Sequence, residues 1–373
     1  MSFTFTYTFP ALRGVQAGQE YFVAMCPLGL LPRIFVFDNT VLPAELRAQR
    51  TLNTARIPEI AQYVLNNRST YAFSALTASV DGEVRFEAMG DSGGAQDMGQ
   101  LVVPMAARFV INDGQHRRAA IEAALEEQPD LAEETIAVVF YRDVGLKRTQ
   151  QLFADLNQHA VKPTRSISIL YDYRDPLAGL VRAMAEDTLP FKGLTEFEGT
   201  TISNRSIKLF TLSAIYQATE ALLCKGKDDE LTPEGEELAR AFWRAMTDVI
   251  PEWKLASQRK VSSAELRRDF VHAHGVTLHA IGLAGGALVQ QRPKDWQTSL
   301  QTLSTVDWSR HNTAVWEGRA MVDGHMSKAR QSVQRTAAYL KTVLGLTLTG
   351  TEGQTEALPN ALALAHQSPI RTN

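Results

Sequence analysis

ARFVINDGQHRRAAIEAAL, residues 107–125, changes its period halfway along. Up to Asn112 it closes an apolar run that begins at Leu101, as a buried strand would. From Gln115 onward Ala120, Ile121, Ala124 and Leu125 recur at helical spacing, so a helix follows. Asp113-Gly114 is the hinge between the two, because glycine alone turns the backbone freely into the left-handed region. Thr135–Tyr141 then reads as a second buried strand, and Leu146–Asn157 as a helix. Strand, glycine turn, helix, strand, helix is an α/β unit, with a polar turn at a strand end where ligand sites commonly lie.

Upstream, Phe3–Phe9, Glu20–Cys26 and Arg33–Asp38 have strand-like composition. Pro43–Arg50 and Ile57–Asn66 read as helices, the second with Pro58 in its first turn. Tyr71–Val80 and Val84–Glu87, joined by Asp81-Gly82, predict a β-hairpin. Beyond about Tyr173 helical patterns dominate, at Ser206–Leu223, Pro233–Val249, Ser263–Leu283 and Gly324–Leu344. The expected organisation is an α/β domain over 1–175, an all-α domain over 176–346, and a flexible Thr/Gly/Gln/Pro-rich tail over 347–373.

Composition bounds the function. In 373 residues, 45% apolar and 21% charged, there is enough material for two full cores. Cys26 and Cys224 are too few for a disulfide framework or a structural zinc site, which fits a reducing cytoplasm. The opening MSFTFTYTFPALRG has no signal-peptide pattern, and no apolar run is long enough to span a membrane. GxSxG, HExxH and Walker A sequences are missing, which disfavours hydrolases of those classes.

The net charge of −3 conceals a division. Between Lys254 and Lys341 stand 13 basic and 6 acidic residues, a surplus of 7, and the remainder of the chain is therefore −10. A helical segment with that surplus is suited to a phosphate backbone, against the competing readings of an acidic partner or a solvated face. Arg259, Lys260, Arg267 and Arg268 lead the candidates for DNA contact. Trp296, Trp308 and Trp316 in the same span read as core rather than as base-stacking platforms.

In the Asp113–Arg117 turn, Gly114 permits close approach, helix-start amides point outward, and His116 and Arg117 supply donors for phosphate oxygens. Asp113 either caps the helix or orients a metal or water on a nucleotide. Arg56, Asn53 and Arg50 upstream, and Asn157 and His159 at the end of the Leu146 helix, are further candidates to face a phosphate. His272, His274 and His279 form H-x-H-x4-H. Residues two apart on a helix point to opposite sides, and nothing completes a ligand set, so no metal is expected.

The blocks FPALRG, AQRTLNTARIPEIAQYVLNN, YAFSALTASVDG, ARFVINDGQHRRAAIEAAL, LFADLNQHAVKPTRSISILYD and LRRDFVHAHGVTLHAIG run in order over most of the chain. Together they resemble the DndB family of DNA sulfur modification proteins, the group with a DGQHR domain. The resemblance implies a ParB/sulfiredoxin-like fold for the first domain, in which Gly114, His116 and Arg117 match a turn that holds nucleotide phosphates. It also implies a DNA-binding repressor of the phosphorothioation genes, associated with the nucleoid, with double-stranded DNA, other phosphorothioation proteins and a second copy of itself as partners. A related DGQQR motif accompanies nucleotide hydrolysis, and His116 here replaces its second Gln. An NTPase is therefore the alternative reading, with Asp113, Gln115 and His116 as catalytic residues and ATP or GTP with Mg²⁺ as cofactor.

Overall fold

The computed structural model describes residues 5–35, 54–142, 163–226, 229–350 and 352. The predicted helices Pro43–Arg50 and Leu146–Asn157, the site candidates Arg50, Asn53, Asn157 and His159, and the tail after residue 352 lie outside the described residues. The chain divides into two compact units, Met1–Val161 and Lys162–Asn373.

The first unit is built on seven strands: β1 (Thr6–Gln16), β2 (Gln19–Pro27), β3 (Leu76–Asp81), β4 (Arg85–Ala88), β5 (Met98–Pro104), β6 (Arg108–Asp113) and β7 (Thr135–Arg142). They form one sheet in the order β4-β5-β1-β2-β7-β3-β6. Every neighbouring pair is antiparallel except β3 with β7. Alternate side chains enter the core, where Phe9 and Phe109 stand 6.0 and 5.8 Å from Phe140. The short helix α1 (Leu31–Ile34), α2 (Ile57–Asn66) and α3 (Gln115–Glu127) complete that core with Leu31, Val64, Ala120 and Ile121 among others.

Two sequence expectations fail here for identifiable reasons. Arg33 and Ile34 do not start a strand; they end α1, because Pro32 sets a helical first turn and Leu28, Leu31 and Ile34 bury at helical spacing. The hairpin across Asp81-Gly82 does not form. All of Leu76–Val80 is buried, so β3 takes an interior slot between β7 and β6, whereas β4, largely exposed, pairs with β5 at the sheet edge.

The second unit is mostly helical: α4 (Arg165–Tyr171), α5 (Pro176–Asp187), α6 (Leu212–Leu222), α7 (Pro233–Val249), α8 (Pro251–Ser257), α9 (Ser263–Asp269), α10 (Gly275–Gln291), α11 (Trp296–Leu300), α12 (Thr313–Trp316) and α13 (Arg330–Val343). It also carries two small ladders, β8 (Thr195–Glu196) with β9 (Phe210–Thr211) and β10 (Met321–Val322) with β11 (His325–Met326). Trp243, Trp253 and Trp316 are fully buried in its core. Ile169 of α4 belongs to the same core.

Helix ends depart from the pattern where side chains offer better caps. Thr211 accepts from the Ala214 amide, so α6 starts at Leu212 and not at Ser206. Phe270 is extended and bridges to Ser309, which breaks Ser263–Leu283 into α9 and α10. Asp323-Gly324, both at positive φ, turn the β10–β11 hairpin, so the last long helix starts at Arg330 and not at Gly324.

Candidate functional site

The DGQHR turn lies where β6 ends and α3 begins. Gly114 has φ +101° and is the N-cap, without a side-chain cap. A Cβ there would lie 2.4 Å from Leu76 Cδ2, so backbone and core approach too closely for any other residue. The β6–β3 register shifts between Thr77 and Ala78, beside the turn, and below it Asn112 Nδ2 donates to Ser79 Oγ at 2.7 Å inside the sheet. This irregular strand end aims the first amides of a thirteen-residue helix outward.

Asp113 does not cap. Its carboxylate accepts from Arg117 Nη2 at 2.6 Å, while Arg117 Nη1 donates to the Ser74 hydroxyl and to the Ser74 and Ala75 carbonyls at 2.6 and 3.0 Å. Arg117 thus braces the turn against the segment entering β3, with its charge matched by Asp113. His116 and Gln115 are half-buried beside this brace. Partial burial and the nearby Arg56 guanidinium both lower the His116 pKa, which keeps its imidazole neutral at pH 7. Arg56, exposed at the end of a 3-10 turn before α2, is therefore brought to the DGQHR turn from 60 residues upstream in sequence. The turn can offer an anion main-chain amides, a neutral imidazole and the Arg56 charge.

In the second unit the four sequence-selected cations differ in kind. Arg259 (φ +59°) and Lys260 are exposed where α8 ends; their amides donate to the Ala256 and Leu255 carbonyls at 2.9 Å each, a Schellman-type stop. Arg268 is 71% exposed and pairs with Asp269 at 2.7 Å. Arg267 is turned inward. Its guanidinium donates to the carbonyls of Ser203, Asn204 and Ser206 at 3.0–3.3 Å and to that of Lys208, which pins the 203–208 segment to α9. Arg259, Lys260 and Arg268 are accessible to a partner, and Arg267 fixes α9, which carries Arg268, to the 203–208 segment.

The remaining candidates have structural surroundings. His272 is buried, its Nδ1 accepts from Trp253 Nε1 at 3.1 Å, and burial drives its pKa down to about 3. His274 Nε2 meets the Arg267 carbonyl at 2.7 Å and lines the same cleft as His279, while His272 is buried against Trp253. No cluster of metal-ligating side chains occurs among the described residues. Cys26 is fully buried and desolvation pushes its thiol up to about 12, which removes thiolate chemistry at neutral pH. Trp308 and Trp316 are core, 5.5 Å apart and stacked. Among the described residues no helix is long and apolar enough to cross a membrane.

Arg310 and Lys328, counted only in the charge total, and Arg165, far outside the basic span, join Arg267 and Arg268 around one cleft. No local motif marks that convergence; only the fold brings α4, α9 and the β10–β11 region together.

The model of one protein family, DndB, described as DNA-sulfur modification-associated, matches residues 9–347. No curated protein and no solved structure matches the chain.

Proposed function

The chain belongs to the DndB family, which is associated with DNA sulfur modification, and from that premise we propose that it is a DNA-binding regulator, a repressor, of the phosphorothioation genes. The observation that carries this reading is the charge separation: a surplus of 7 positive charges lies in Lys254–Lys341 of a chain that is −3 overall. Arg259, Lys260 and Arg268 stand exposed there and contact backbone phosphates, with Arg267 positioning α9, which carries Arg268. The DGQHR turn, on a ParB/sulfiredoxin-like first domain, takes a phosphate of a nucleotide or of DNA through Gly114, His116 and Arg56, and Arg117 fixes its shape. The nucleotides to try are ATP and GTP with Mg²⁺.

A gel shift on the promoter of the modification genes, with and without phosphorothioates and at several salt concentrations, tests the proposal. Affinity should fall steeply with salt, by a slope of about −0.9 per phosphate contacted. Arg259→Glu/Lys260→Glu/Arg268→Glu should flatten that slope by roughly three contacts and weaken binding to all sequences alike. An unchanged slope in the triple variant would remove this surface. The Asp113–Arg117 bond at 2.6 Å ties one oxygen of the carboxylate that an NTPase would use to bracing the turn, so binding without turnover is the expectation. Steady phosphate release from ATP or GTP, lost in Asp113→Ala, would reinstate the enzyme.

A further inference from the structure

The second unit contains a cleft of about 840 Å³, which is within the size range of sites for small ligands. Five cations line it, Arg165, Arg267, Arg268, Arg310 and Lys328, against one carboxylate, Glu265. Glu265 is committed elsewhere, to the capping box that opens α9 with Ser262.

What holds the cations matters more than their number. Arg267 donates to main-chain carbonyls of 203–208. Arg310 donates to the carbonyls of Arg267, Arg268 and Gly324 at 3.1–3.4 Å, and Lys328 to that of Thr200 at 3.2 Å. Arg165 lies over the Tyr216 ring, 5.3 Å from its centroid. Each is oriented by a neutral partner and keeps its formal charge; among the described residues only Arg268 of the five has a carboxylate at ion-pair distance, Asp269, whose charge Arg310 also feels. The seventeen-residue helix α10 also begins on this wall, at Gly275, and adds the positive end of its dipole. The field is felt locally: burial first, and then Arg310, Arg267 and Lys328, lower His274 to about 4.

We propose that this cleft is a binding site for a small ligand carrying a chain of two or more phosphates, of nucleoside diphosphate or triphosphate size, separate from the DGQHR turn and from the exposed cations Arg259 and Lys260. The charges converge on a concavity instead of running along a stripe, which suits clustered phosphates better than a duplex backbone. Thr200, Thr201, Asn204 and Gln217 on the walls supply neutral hydrogen-bonding groups for the rest of the ligand.

Calorimetric titration of the full chain with inorganic pyrophosphate, with ATP and with a short DNA duplex tests the site. Arg165 and Lys328 are exposed, so Arg165→Glu/Lys328→Glu should leave the thermal melt nearly unchanged while weakening pyrophosphate and ATP by at least about tenfold. Arg165→Gln should weaken them less, and Arg56→Glu, at the other site, should leave pyrophosphate binding to the cleft intact. The proposal fails if neither phosphate compound binds, or if both bind the double variant as tightly as the parent. It fails equally if their binding is lost in Arg56→Glu instead, or if only the duplex binds in a way that the double variant abolishes, since the cleft would then be part of the DNA surface.

Discussion

Arg267 and Arg268 are neighbours in sequence with opposite roles, and substitution separates them. Arg267→Ala removes donors to four carbonyls of the 203–208 segment and should cost about 1–3 kcal/mol by urea denaturation. Arg268→Ala, at a solvent-exposed pair, should leave the urea midpoint nearly unchanged and show its effect in DNA affinity and, because it also lines the cleft, in pyrophosphate affinity. Gly114→Ala meets both a φ of +101° and Leu76 at 2.4 Å, so it should destabilise by about 1–3 kcal/mol. His272 gives a pH dependence of definite sign. Its folded pKa of about 3 lies below an unfolded value of about 6.5, so the unfolded chain takes the proton first. Stability is full above pH 6.5 or so and falls as the pH drops toward 3, with His274, at about 4, acting in the same direction. The loss should be on the order of a few kcal/mol, and His272→Gln should flatten the slope of urea midpoint against pH between neutral and mildly acidic buffer.

Helices α6 and α10 approach so closely that Gly282 touches backbone: a Cβ there would lie 2.1 Å from the Ala218 carbonyl oxygen. Gly282→Ala should therefore force the helices apart and cost roughly 1–3 kcal/mol or more, read as a lowered melting temperature of the second unit. That contact was not legible in the sequence, where four glycines in one apolar helix suggest weakness before they suggest packing. The elements that were legible have local determinants. Ile57–Asn66 and Pro233–Val249 carry their own N1/N2 prolines, and Asp113-Gly114 marks its turn by the need for glycine. Those misread depend on distant partners. Nothing within residues 71–87 tells β3 that its neighbours will be β6 and β7, and nothing near Phe270 announces Ser309. The same logic divides the site: the DGQHR turn is one contiguous string, whereas Arg165, Arg310 and Lys328 meet only after folding.

At the scale of the whole molecule, the two proposed anion sites differ in kind, an amide-rich turn in the first compact unit and fixed cations in the second. The strand order of the first unit also has a consequence for its birth on the ribosome. β7 is the last made of that unit's described strands, yet it lies between β2 and β3 and joins a β4-β5-β1-β2 half to a β3-β6 half. Until it emerges, the nascent chain displays two open edges, including β3 with its five buried-type residues, a state prone to mispairing. Ribosome-arrested chains stopped before Thr135 is exposed should be cut readily by protease, and those in which Arg142 has emerged should resist. The first unit's sheet becomes continuous only when β7, the last of its described strands, arrives.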